Sequence, residues 1–142
     1  LLACGSAPVS ATSVASVDPD PQQNTASSPL PAHSLWSGRY RCAQGVTGLT
    51  LTLDVAGDRA TAVFDFGAIP ENPTVPTGRY LLDGVIAIGS ATALRLVPDR
   101  WIVQPSGYMM VGFSAEIDRS ARTMRGTIEE PSCGALELTR VR

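Results

Sequence analysis

The sequence predicts an all-β domain, a small antiparallel meander of about eight strands closed into a barrel or folded into a two-layer sandwich. Three observations carry this expectation. Apolar and polar residues alternate with period two from residue 35 onward, turn-forming residues recur at short intervals, and no window beyond about ten residues holds a helical apolar spacing. The chain is 142 residues long, enough for one domain plus an extension, with 44% hydrophobic and 6% aromatic residues.

Each strand has its own justification. Arg39–Ala43 opens the domain, and Trp36 and Tyr40 beside it read as packing residues. Leu49, Leu51, Leu53 and Val55 alternate with Thr50, Thr52 and Asp54, which gives one strand face to the core and one to water. Ala60–Phe66 repeats the pattern, with Ala62, Phe64 and Phe66 inward, after a hairpin turn at 56–58. Arg79–Ile88, Ala93–Val97, Met109–Ile117, Thr123–Glu129 and Ala135–Val141 complete the series. Gly84, Gly89, Gly112 and Gly126 lie in or beside these strands, where glycine marks bulges and sharp bends, and they favour a closed or strongly bent sheet.

The segment before the domain has another texture. Ser, Thr, Ala or Pro fill 19 of the 30 positions from 5 to 34. Val9, Val14, Val17 and Leu30 are too scattered to offset the entropy of ordering it, so residues 5–34 read as a disordered tether and 35–142 as the folded domain. The formal charge is −2, and Asp18 and Asp20 of the tether account for it, leaving the body formally neutral. A neutral body gives no footprint for nucleic acid, and no apolar run reaches the roughly 18 residues of a spanning helix. All 11 basic residues are Arg, which reads as the coding bias of a GC-rich genome.

Leu1-Leu2-Ala3-Cys4, followed by Gly5 and the tether, resembles the lipobox of bacterial lipoproteins. The resemblance implies that residues 1–4 are the end of a signal peptide and that Cys4 carries the lipid, its acyl chains holding the protein to a membrane. It also implies an extracytoplasmic location. With Gly5 rather than Asp after the Cys, that means the outer membrane of a double-membraned cell, or otherwise the outer leaflet of the plasma membrane.

Export makes pairing of the other two cysteines, Cys42 and Cys133, the expected structural disulfide. They sit at the end of the first strand and just before the last, which a closed sheet makes neighbours. A metal centre or redox pair is the alternative. Neither Cys has a second one two to four residues away, and His33, the only His, lies in the tether.

The same isolation of His33 argues against Ser-His-Asp and Cys-His nucleophiles, and no GxxxxGK[ST] or GxGxxG element offers a phosphate cradle. A glycosidase-like carboxylate pair drawn from Asp54, Asp65, Asp83, Glu116, Glu129, Glu130 and Glu137 stays open, although most of these fall on the polar side of a strand or near a turn. The reading is a non-enzymatic binding module without cofactor or metal. Its partner is a protein or small lipophilic ligand.

Two segments could form the binding surface. Gly67–Gly78, with three prolines, contains Asn72 and Thr77 and leads into Arg79 and Tyr80; a plain crossover is its blander reading. Pro98–Met110 gathers Trp101, Tyr108 and two Met, which suit a contact surface or completion of the core.

Trp36-Ser-Gly-Arg-Tyr-Arg-Cys42, the meander, Thr77-Gly-Arg-Tyr80 and the late Cys133 resemble the small bacterial inhibitors of c-type lysozyme. Those are β-barrels, often lipoproteins, whose Ser-Gly-x-x-Tyr-like segment reaches the lysozyme active site. Thr77 would take the Ser place here. The spacing to Tyr80 is one residue short and the Phe-Trp-x-x-Gly stretch that follows in the family is absent.

Overall fold

The computed structural model describes residues 30–142, so the lipobox-like Leu1–Cys4 and most of the 5–34 segment lie outside the described residues. Eight antiparallel strands form a meander: β1 (His33–Cys42), β2 (Gly45–Ala56), β3 (Arg59–Gly67), β4 (Gly78–Ala87), β5 (Thr92–Val103), β6 (Phe113–Ile117), β7 (Thr123–Ile128) and β8 (Ala135–Arg140). Each pairs with the next, and β1 pairs with β8 from Trp36↔Arg140 to Tyr40↔Leu136, which closes the barrel and decides against the sandwich.

Alternation does what it predicts. Leu49, Leu51 and Leu53 point inward and are buried, Thr50 faces water, and Ala62, Phe64 and Phe66 meet them from β3. An eight-stranded barrel encloses little more room than its own side chains fill. Trp36, Phe64, Tyr80, Phe113, Leu136 and Met124 are among those that fill it here. Closure needs backbone close to backbone at the bends. A Cβ on Gly84 would lie 1.9 Å from the Arg95 carbonyl oxygen, and one on Gly126 would lie 2.1 Å from that of Ser114, so no side chain fits at either position.

The structure corrects three boundaries. The ordered domain starts before residue 35: His33 and Ser34 belong to β1, Ala32 accepts a hydrogen bond from the Val55 N–H, and Leu30 packs on the core. His33 therefore sits on a strand, with Nδ1 on the Asp54 carboxylate. β5 runs through Pro98 to Val103 because register shifts in the β4–β5 ladder, between Leu81 and Leu82 and again between Arg79 and Tyr80, let a residue without an N–H stand in the strand. β6 begins at Phe113 instead of Met109, since both backbone groups of Val111 bond to the Tyr80 hydroxyl rather than to a neighbouring strand.

Candidate functional site

In a meander barrel alternate connections share an end. The links 57–58, 88–91 and 118–122 lie at one end, the base, where β1 also begins. The links 43–44, 68–77, 104–112 and 129–134 lie at the other, the mouth. Seven of the eight aromatic residues form one connected cluster towards the mouth. Phe64 is its hub, stacked on Tyr80 at 4.7 Å and meeting Tyr40 edge-on at 5.1 Å. Phe66 then stacks on Tyr108 at 5.6 Å. Ring pairs of this kind contribute about 0.5–1.5 kcal/mol each beyond their burial.

The four connections are tied together around the rim. Asn72 Nδ2 donates to the carbonyl oxygens of Gln44 and Val46, both at 2.9 Å, and fastens the 68–77 loop to the β1–β2 turn. The Tyr80 hydroxyl donates to the Val111 carbonyl at 2.8 Å and accepts from its N–H at 3.0 Å, which holds the 104–112 segment over the barrel. The Glu129 N–H reaches the Gly112 carbonyl and the Gly134 N–H reaches that of Arg41. The Cys42–Cys133 disulfide completes the tie, with Cα atoms 3.8 Å apart across 91 residues of sequence.

Inside this ring is a cavity of about 390 Å³, within the size range of small-molecule sites. Its floor is Tyr40, Phe66 and Tyr80, all buried, and Tyr108, Met109, Val111 and the disulfide form its walls. Gln44, Glu130 and Ser132 supply polar atoms. The Gln44 side-chain amide donates to Thr47 Oγ1 at 2.9 Å and to the Tyr40 hydroxyl at 3.3 Å, so it is fixed in place. Ser132, through its hydroxyl and its N–H, holds the Glu130 carboxyl below its ordinary pKa, while burial pushes the hydroxyls of Tyr40 and Tyr80 up.

A larger concavity of about 760 Å³ lies on the outer wall against Val85, Ala93, Ser114 and Gly126. It is open to solvent and has no aromatic wall, so the mouth is the better-formed site.

The structure separates the six residues expected to form a binding surface. Tyr80 and Tyr108 line the mouth. Trp101 packs edge-on against Tyr80 at 5.1 Å, and Asn72 is engaged in tying the loops. Thr77 is exposed on the rim, and Arg79 pairs with Asp65 on the outer wall at 3.0 Å. In the stretch from Pro98 to Met110, Trp101 thus packs with the core while Tyr108 borders the cavity.

Of the candidate carboxylates, Asp54, Asp65, Asp83 and Glu129 face His33, Arg79, Arg59 and Arg95, and Glu137 lies 4.0 Å from Arg125. Glu116 lines the outer concavity, and Glu130 alone of the set reaches the mouth. Among the described residues, no three His, Cys, Asp or Glu side chains gather as a metal site would require. Sequence reasoning missed Gln44 and Ser132 as site residues, while Met109 belongs to the Pro98–Met110 stretch it singled out. Its available signal was the placing of Tyr40, Phe66 and Tyr80 near strand ends that a meander brings to one side. No protein-family model matches the chain, and no curated protein matches it.

Proposed function

We propose that the protein is a lipid-anchored envelope module that binds its ligand in the barrel mouth. The observation that carries this reading is the mouth cavity, aromatic-lined and rigidly rimmed, at the end of the barrel opposite the start of β1. A ten-residue strand spans about 33 Å, so β1 separates the N-terminal attachment from the cavity by the length of the barrel. In a chain held at Cys4 by lipid, the Ser/Ala/Pro-rich stretch would act as the tether, and the mouth, at the far end of β1 from that attachment, would stay clear of it.

Alkyne-palmitate labelling in a lipoprotein-processing bacterium tests the anchor; the native chain should label and Cys4→Ala should not, and equal labelling removes the anchor from the account. A thermal-shift screen with small organic fragments tests the site. Fragments that raise the melting temperature of the native protein should fail to raise that of Tyr108→Ala. If no fragment stabilises the native protein, the mouth is not a ligand site.

Inhibition of c-type lysozyme is the second reading, favoured by the exposure of Thr77 on the rim beside Gly78. A turbidity assay of lysozyme with excess protein checks it, and an unchanged rate ends it.

A further inference from the structure

The charge lining the mouth says what kind of ligand it takes. The chain has 11 Arg and no Lys, yet none of the Arg lines the cavity. Arg41, whose side-chain carbons pass near Gly134, stays on the outside of the rim. Among the described residues Glu130 is the one charged residue that lines the cavity, and the Ser132 hydroxyl and N–H hold its carboxyl below its ordinary pKa. Both Ser132 donors fall on Oε1; among the described residues, Oε2 has no donor partner. Tyr40, Phe66, Tyr80 and Tyr108 line the same cavity. Aromatic faces and a carboxylate both attract a cation, and neither offers anything to an anion. The outer concavity gives no such preference, since Arg95 and Arg125 line it together with Asp58 and Glu116.

We infer that the mouth selects a small organic ammonium, a cationic head on a slim apolar body, with Glu130 pairing the head and the tyrosine-rich wall holding the body. The inference rests on the mouth being a binding site and adds the class of ligand. Its size favours a free small molecule over a folded partner, because a cavity of about 390 Å³ is near the lower limit for drug-sized ligands.

Three probes with the same six-carbon body separate the charge from the shape: hexylammonium, hexanol and hexanoate. Each is titrated into the full disulfide-bonded chain carrying ¹³C-methyl methionine. Of the three methionines, Met109 lines the cavity, Met110 packs beside it against the core and Met124 is buried in the core, so once a Met110→Leu variant has assigned the Met110 signal, the Met109 methyl reports the site and the Met124 methyl serves as internal reference. Hexylammonium should shift the Met109 methyl with an affinity about five- to tenfold tighter than hexanol, as expected for one partly exposed ion pair plus a cation–π contact, and hexanoate should bind weakest. Glu130→Gln should bring hexylammonium down to the level of hexanol and leave hexanol unchanged. Glu116→Gln, on the outer wall, should leave all three as they were. Equal or tighter binding of hexanoate overturns the ligand class while leaving the mouth a binding site. Failure of every probe to move Met109 overturns both.

Discussion

The two ends of this barrel are built from the same eight strands and solve different problems. At the base the connections are short, with two residues at 57–58, four at 88–91 and five at 118–122. Aliphatic side chains such as Leu53, Ile86, Leu94, Ile117 and Met124 fill the interior there. At the mouth the 68–77 and 104–112 segments are longer, rings replace aliphatic chains, and Met109 is left 66% exposed. The 118–122 turn at the base is held in large part by its own residues. Asp118 accepts from the N–H groups of Arg122 and Thr123, and Ala121 is buried with φ at 57°. The mouth loops are held by one another, through Asn72, Tyr80 and the disulfide. Local turn chemistry suffices where the chain only has to reverse. Cross-linking between loops appears where longer segments border the cavity.

The sharpest way to break this contrast is to damage the base alone. Ile117→Ala leaves a void in a fully buried aliphatic site and should cost about 2–5 kcal/mol in urea unfolding, with fragment binding at the mouth unchanged when measured below the transition. Equal loss of binding would mean that the two halves are not separable. Next in size is removal of the staple by joint Cys42→Ala and Cys133→Ala substitution. A loop of 91 residues is released, and stability should fall by about 2–4 kcal/mol. Faster amide exchange should appear in 129–134 and 43–44 while the base strands keep their protection. Uniform loosening would contradict the placing of the staple.

Tyr80→Phe is smaller and more local. It leaves the buried N–H and carbonyl of Val111 without their partner, at a cost of about 1–3 kcal/mol. Crystals should show the 104–112 segment shifted with Phe64 still stacked on the new ring. The smallest effect belongs to the base turn. The backbone N–H groups of Thr123 and Arg122 hold the Asp118 carboxyl down to about 2, against about 3.9 in an unfolded chain. Its contribution is therefore present above pH 4 and is lost as pH falls from about 4 towards 2. An NMR titration should find its midpoint near that lower value, and Asp118→Asn should flatten the acid limb of the stability curve slightly. A midpoint close to 4 would show that the turn does not hold the carboxylate.

Much of the scaffold was legible in the sequence, because period-two alternation is a direct record of which side of a sheet each residue occupies. Leu49 to Leu53 and Ala62 to Phe66 could be assigned to the interior residue by residue, and an even pair of cysteines flanking the first and last strands implied their proximity. The site was legible only in part. Tyr80 and Tyr108 were singled out, but Arg79 beside them points outward, since a strand alternates faces whatever the loop before it suggests. Asn72, placed by the sequence on a candidate binding loop, is engaged by two carbonyl groups that only the fold brings to it. Pro98 hid the second half of β5, because a bulge that tolerates proline has no local signature. The mouth itself depends on which connections share an end, and this follows only once the strand count and the closure are fixed.

Amide chemical-shift mapping with a panel of neutral and charged small fragments on the full chain tests the division of the barrel most directly. The account predicts perturbations confined to 43–44, 104–112 and 129–134, around Gln44, Tyr108 and Ser132, with the base turns silent. Perturbations centred instead on the outer concavity at Val85, Ala93 and Gly126, or on 57–58 and 118–122, would contradict it.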